Sequence, residues 1–221
     1  CSSDLRTKAM IARESGLQPL ADLLLADPSR DPRKEAAAFV AADKNVADVD
    51  AALEGARFIL LEQFAEDAPL IGKLRTWLEQ ESLVVTKVVK DKEQDPEAQR
   101  YRDYFRYDEP LARVPSHRAL AIFRAKKEGF LDGFLGFPPE GATATTKDGE
   151  APPECTPIAE AERGKAFVME RFGLSEKGRP ADAWLATTAK LAWKAKLALH
   201  VESDLLQDRK STRLNSSHLV I

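Results

Sequence analysis

Arg100, Arg102, Arg118, Arg124, Lys126 and Lys127, set among Tyr101, Tyr104 and Phe105 with His117 between them, are the side chains of this 221-residue chain best able to do chemistry together. Guanidinium and ammonium groups neutralise phosphates, and aromatic rings offer faces on which bases stack. The pattern suits a single-stranded nucleic acid. The same residues also fit a solvated helix whose aromatics turn to the core, because Asp103, Asp108 and Glu109 dilute the positive charge. Ser116, directly after Pro115, can accept from the first free amides of a helix beginning at His117. Gly129 stands where a left-handed helix stop is wanted.

Catalytic constellations are thin. The histidines are His117, His200 and His218, and no His-Glu-x-x-His, Gly-rich phosphate loop, Gly-x-Ser-x-Gly or paired-Cys pattern occurs. His200, Glu202 and Asp204 are close in sequence, but steps of two scatter them over different helix faces. Asp103, Asp108 and Glu109 are more simply read as balancing nearby arginines than as metal ligands. Trp184 and Trp193 read as anchors of helix contacts, and Lys87 to Lys92 as a solvated edge. The expectation is a non-enzymatic protein with no catalytic residue, no metal and no cofactor.

The formal net charge is −3, so bulk charge does not make the chain a polyanion binder. The distribution is uneven. From Lys87 to Lys127 there are eleven Lys or Arg against seven Asp or Glu, and the remainder carries about −7 by difference. Any nucleic-acid contact should be local and salt-sensitive. Cys1 and Cys155 make neither a disulfide framework nor a metal spacing and fit a reducing, cytoplasmic compartment. No apolar run reaches membrane-spanning length, so no membrane partner is expected. The start at Cys1-Ser-Ser reads as truncated.

The elements that must position these side chains are mostly helices. Leu5 to Ser15 is stopped by Gly16, Pro19 opens a helix carrying Leu20, Leu23 and Leu24, and Asp31-Pro32 starts an Ala-rich helix through Val40. Asn45 can cap a long helix with Val46, Val49, Leu53, Ala56, Leu60 and Phe64 at steps of three and four. Asp67 caps another, with Leu70, Ile71, Leu74, Trp77 and Leu78. Leu83 to Val89 fits either a strand or a helical face. Phe130, Leu131, Phe134 and Leu135 form a short strand or buried extended segment. Helices follow at Ile158 to Phe172 and Ala181 to Leu206, the latter with a stripe of Trp184, Thr188, Leu191, Ala195 and Leu199. A helix-turn-helix reading of the first two helices is weak, since neither shows a row of base-reading side chains. The fold class is mainly α: a multi-helix assembly with at most a short strand or hairpin near 129–137. It divides into a helical domain at 1–135, a Pro-rich loop or linker at 136–157, a helical segment at 158–207 and a tail at 208–221. That tail, crowded with Ser and Asn, reads as non-native sequence.

Five stretches carry a family resemblance: Thr7-Lys-Ala-Met-Ile-Ala-Arg-Glu-Ser-Gly-Leu-Gln-Pro-Leu-Ala-Asp22, Tyr101-Arg-Asp-Tyr-Phe105, Pro115-Ser-His-Arg-Ala-Leu-Ala121, Gly178-Arg-Pro-Ala-Asp-Ala-Trp184 and Glu202-Ser-Asp-Leu-Leu206. In order, they resemble the N-terminal helical part of the bacterial Tex family of transcription accessory proteins, over about Asp4 to Leu206. The resemblance implies a large, mostly helical, RNA-binding protein related to eukaryotic transcription elongation factors. Members continue into an RNase H-like domain, a helix-hairpin-helix pair and an OB-fold RNA-binding domain, and this chain stops before them. It departs from the family at Arg124-Ala125-Lys126, where Arg-Gly-Glu is frequent. The reading is therefore a scaffold part of an RNA-binding transcription accessory protein. Its partners would be RNA or another single strand, with the transcription machinery in company. The main alternative is a protein-protein interaction scaffold with no nucleic-acid contact. A nuclease-like reading fails for want of a strand-borne acidic cluster.

Overall fold

A computed structural model describes residues 7–44, 46–139 and 154–216. Nine α-helices and a four-stranded antiparallel sheet lie among them, so the mainly α class holds, with more strand than the hairpin expected near 129–137. Two compact units form, each from two stretches of chain: residues up to Ile71 with Glu162–Leu197, and Gly72–Ala161 with the residues from Ala198 onward. The divisions 1–135 and 158–207 drawn from composition do not coincide with these units. A loop-like composition between two stretches does not decide which distant stretch each one packs against.

In the first unit, α1 (Lys8–Glu14) is capped by Thr7, whose hydroxyl accepts from the Met10 amide at 3.1 Å. Gly16 stops it with φ at +82°, a conformation costly to any side chain. Pro19 lies in the first turn of α2 (Gln18–Ala26). Asp31 caps α3 (Pro32–Ala37) by accepting from Arg33 and Lys34. This helix ends short of Val40 because Ala41 pairs with Val46 in an isolated β-bridge. The cap of α4 (Val49–Ala65) is Asp48, accepting from Ala51 at 2.8 Å, so Val46 lies outside the helix. Asn45, expected in that role, falls outside the described residues. Ala52, Ala56, Ile59, Leu60 and Phe64 of α4 are fully buried, and α1, α3 and α8 (Asp182–Ala192) pack around them. Asp67 opens α5 (Ala68–Glu81) by accepting from the Leu70 amide at 2.8 Å. The same carboxylate takes two hydrogen bonds from Arg171 of α7 (Glu162–Arg171), both at 2.9 Å. Phe64 and Phe172 stack at 4.2 Å beside it.

The second long helical segment was expected to run unbroken with its stripe through Leu191, Ala195 and Leu199. Leu191 and Leu199 are instead 37% and 59% exposed. Thr188 of that stripe is buried, and Leu185, Ala189, Trp193, Leu197, Val201 and Leu205 are buried at every fourth residue, with Ala186, Ala192 and Ala198 buried beside them. A repeat of four is longer than the 3.6 residues of an α-turn, so in a straight helix the stripe would rotate away from the core. The π turn Trp193–Leu197, between α8 and α9 (Ala198–Ser216), takes up the extra residue. The backbone of α9 runs past residue 208, where composition suggests a foreign tail, and Arg209 bonds to Glu79 at 2.9 Å. Residues 217–221 lie outside the description.

In the second unit the strand order is β2-β1-β3-β4. The ambiguous run forms β1 (Leu83–Val88), whose β-branched Val84, Val85 and Thr86 are buried on both faces. Its partners are β2 (Arg106–Pro110) and β3 (Leu131–Phe137), with Val85 opposite both Asp108 and Phe134. The short β4 (Thr156–Pro157) pairs with the end of β3. Of the expected linker, 140–153 lies outside the described residues, and its ends belong to β3 and β4. β2 was not expected: two tyrosine-region charges, Asp108 and Glu109, masked an edge strand whose only partner in the sheet, among the described residues, is β1.

Candidate nucleic-acid interface

The basic and aromatic segment builds three connected pieces: a 3-10 turn over Ala98–Tyr104, strand β2, and helix α6 (Ser116–Lys127). Pro115, not Ser116, takes the position before α6; its carbonyl accepts from Arg118 and Ala119, and no side chain caps the helix. Proline suits this place because its fixed φ leads into the helix. At the other end Gly129 has φ of +78°, and the Phe130 amide returns to the Ala125 carbonyl at 2.9 Å, closing the helix as expected.

The aromatics turn inward. Tyr101, Phe105 and Phe130 form a small core with Ala98, Ala125 and Leu131, and Tyr104 packs on it from the side. They are therefore not an open stacking platform. Their apolar payload fixes the 3-10 turn against α6, and the cations lie over the outside of that core. Arg100 sits 5.0 Å from the Tyr101 ring centre and 5.9 Å from that of Phe130, and Lys92 lies 5.8 Å from Phe130.

The expected site residues do not all converge. His117, Arg124 and Lys127 are exposed and lie along one face of α6, at spacings of seven and three. Arg124 and Lys127 line a surface groove of about 510 Å³ with Leu120, Phe123 and Glu128. Arg100 joins this face from the 3-10 turn by an ion pair to Glu128 at 2.6 Å. Arg102 is exposed on the same turn. Arg118 is drawn to β2, donating to Glu109 at 3.0 Å, and the Tyr107 hydroxyl bonds to the same carboxylate. Burial and that bond push the Tyr107 hydroxyl well above the usual tyrosine range. Lys126 points the other way and donates to the Gly133 carbonyl of β3 at 2.6 Å.

Glu128 is the residue that reading the sequence passed over. It accepts from Arg100 and from the Tyr101 hydroxyl, the latter at 2.8 Å. The Tyr101 hydroxyl is the main reason its carboxyl is held below the ordinary range, with Arg100 and Arg124 acting in the same direction. Its signal in sequence was slight: an acid four residues after Arg124, just before the stopping glycine.

Carboxylates elsewhere have other duties. Glu202 of α9 accepts from the Leu135 amide at 2.5 Å, while His200 lies 3.5 Å from Asp204 on the exposed side. Asp108 is buried, and together with burial it pushes the Cys155 thiol up. Among the described residues no three His, Cys, Asp or Glu side chains gather as metal ligands, and no helix is long and apolar enough to cross a membrane.

A family model described as Tex central region-like matches residues 27–213. Protein YhgF of Escherichia coli is 44% identical over 204 residues, covering 91% of this chain and 24% of the relative. The transcriptional accessory protein Tex of Neisseria gonorrhoeae is 42% identical over 205 residues, 93% of this chain and 24% of its own length. Protein tex of Bordetella pertussis is 37% identical over 201 residues. The chain thus spans about a quarter of the relatives it matches.

Proposed function

The chain belongs to the Tex family, and from that premise we propose that it is a helical scaffold part of an RNA-binding transcription accessory protein, one that touches single-stranded RNA through α6 and catalyses nothing itself. The observation that carries this reading is the exposed row of His117, Arg124 and Lys127 beside Arg100, in a stretch whose positive surplus stands against an acidic remainder. Phosphates passing along that row meet Arg124 and Lys127 one turn apart, with Arg100 beside them and His117 two turns earlier on the same face, while the buried aromatics hold the backbone beneath them. Contact with about three phosphates gives weak, sequence-indifferent binding with a log-log salt slope near −0.7 per phosphate. The gonococcal relative's name supports the association with transcription. The setting we assign is the cytoplasm.

A titration of labelled single-stranded RNA at about 50 mM salt tests this. Binding that weakens steeply with salt, and is lost in the Arg124→Ala, Lys127→Ala double variant, is expected. A flat titration overturns it in favour of an interaction scaffold without nucleic-acid contact. The neutralisation of Arg100 by Glu128 and of Arg118 by Glu109 favours that rival.

A further inference from the structure

We propose that Arg100, Arg124 and the Tyr101 hydroxyl form a phosphate subsite which the Glu128 carboxylate fills in the free protein, and that a nucleic-acid backbone enters by displacing Glu128. This deepens the RNA-binding reading and rests on it. Two donors converge on one oxygen, Glu128 Oε2: the Arg100 guanidinium at 2.6 Å and the Tyr101 hydroxyl at 2.8 Å. Arg124, one turn before Glu128 on α6, adds its field to both Glu128 and Tyr101. A guanidinium and a neutral hydroxyl aimed at one point are a geometry that a phosphate oxygen accepts as readily as a carboxylate does.

The donors are fixed independently of the anion. The Tyr101 ring is buried in the small core, and Arg100 is laid over Tyr101 and Phe130. Burial of Tyr101 and its bond to Glu128 raise the phenol above its usual range, so it stays a donor throughout the physiological range. The anion is the movable part: Glu128 is exposed, at the C-terminal end of α6, and is followed by Gly129. Its side chain also borders the groove lined by Arg124 and Lys127, so swinging out leaves a continuous cationic path. Arg118 and the Tyr107 hydroxyl converge on Glu109 in the same way, but that acceptor is held within strand β2 rather than at a helix end beside a glycine.

RNA titrations of the full chain and of Glu128→Gln test the assignment. The variant should bind about two- to five-fold tighter at low salt, the scale of one exposed ion pair removed, with a log-log salt slope steeper by about 0.7. Adding Arg100→Ala should cancel the gain, and Tyr101→Phe, which keeps the ring, should reduce it. Glu93→Gln removes the same formal charge at another exposed position and should give little. Equal gains from Glu93→Gln and Glu128→Gln, or a gain that survives Arg100→Ala, would overturn the subsite. Wild-type binding with no gain in Glu128→Gln would overturn the subsite alone. Flat titrations of both proteins would overturn the subsite and the RNA reading together. Inorganic phosphate at matched ionic strength should displace RNA far less well than unlabelled oligonucleotide; equal displacement would overturn the nucleic-acid assignment.

Discussion

Gly164→Ala should destabilise the first unit even though alanine is the better helix former. At an open helical site, Gly→Ala favours folding by about 1 kcal/mol. At Gly164 in α7, however, the added Cβ would fall inside the Trp193 indole, against Cε2, Cδ2 and Nε1. Trp193 is only 1% exposed and is held by the π turn, so the ring has nowhere to swing. Carbon atoms rest about 3.5–4.0 Å apart, so α7 must retreat by about 1.5–2 Å, and contacts along the rest of its buried face are loosened with it. Overpacking of this kind costs about 1–3 kcal/mol, and a clash with a rigid ring belongs at the upper end. Set against the propensity gain, the net loss should be about 2 kcal/mol. Gly72→Ala in α5 is the control: its Cβ meets nothing within 4 Å, and it should gain up to about 1 kcal/mol. Urea unfolding followed by far-ultraviolet circular dichroism measures both. A Gly164→Ala midpoint at or above the wild type would refute the packing argument. So would the failure of Trp193→Phe to recover part of the loss when combined with Gly164→Ala.

Asp48→Ala should cost about 0.5–2 kcal/mol in the same urea assay, because α4 loses the acceptor for its Ala51 amide; no change would move the cap elsewhere. Leu60→Ala, at a position with 0% exposure, should cost about 2–5 kcal/mol, and a loss under about half a kilocalorie would mean that the site collapses freely. Glu202 makes stability depend on pH. Burial raises its carboxyl above the ordinary range, with the Leu135 amide and Lys126 opposing. The folded chain therefore holds a proton that the unfolded chain has already released, from about pH 4.3 upward, and stability falls as pH rises through that window. Glu202→Gln should melt higher than wild type at about pH 7.5 and equally near about pH 4; a constant difference at both pH values would refute this.

How far the sequence carried depended on whether the signal was local. Asp31 and Asp67 cap helices within three residues of themselves, and Gly16 and Gly129 stop them by conformation alone, so such boundaries are readable from a few positions, whereas the Thr7 cap was passed over inside a helix begun at Leu5. Asp48 was missed because Asn45 offered an equally good local cap, and the choice is made by the Ala41–Val46 bridge. β2 needs β1 beside it, and the frame shift at Trp193 shows only in which residues are buried further along. At the candidate site, the shared face of His117 and Arg124 was legible in the helix period, seven residues apart, and Lys127 joins it in the structure. That Arg118 and Lys126 are taken by β2 and β3 was not, because their acceptors come from pairing partners that the spacing does not name.

The discontinuous first unit has a consequence for synthesis on the ribosome. α4 ends at Ala65, while α8, which packs against it, begins at Asp182, so more than a hundred residues must be translated before that face of α4 is covered. At about 5–20 residues per second, the N-terminal helices wait on the order of ten seconds with Ala52, Ile59 and Phe64 lacking their native cover. The nascent chain over this interval is a natural client for holding chaperones. Slow codons between the two stretches would lengthen its exposure, whereas a circular permutant beginning at residue 162 would place α8 ahead of α4 in synthesis and remove the delay.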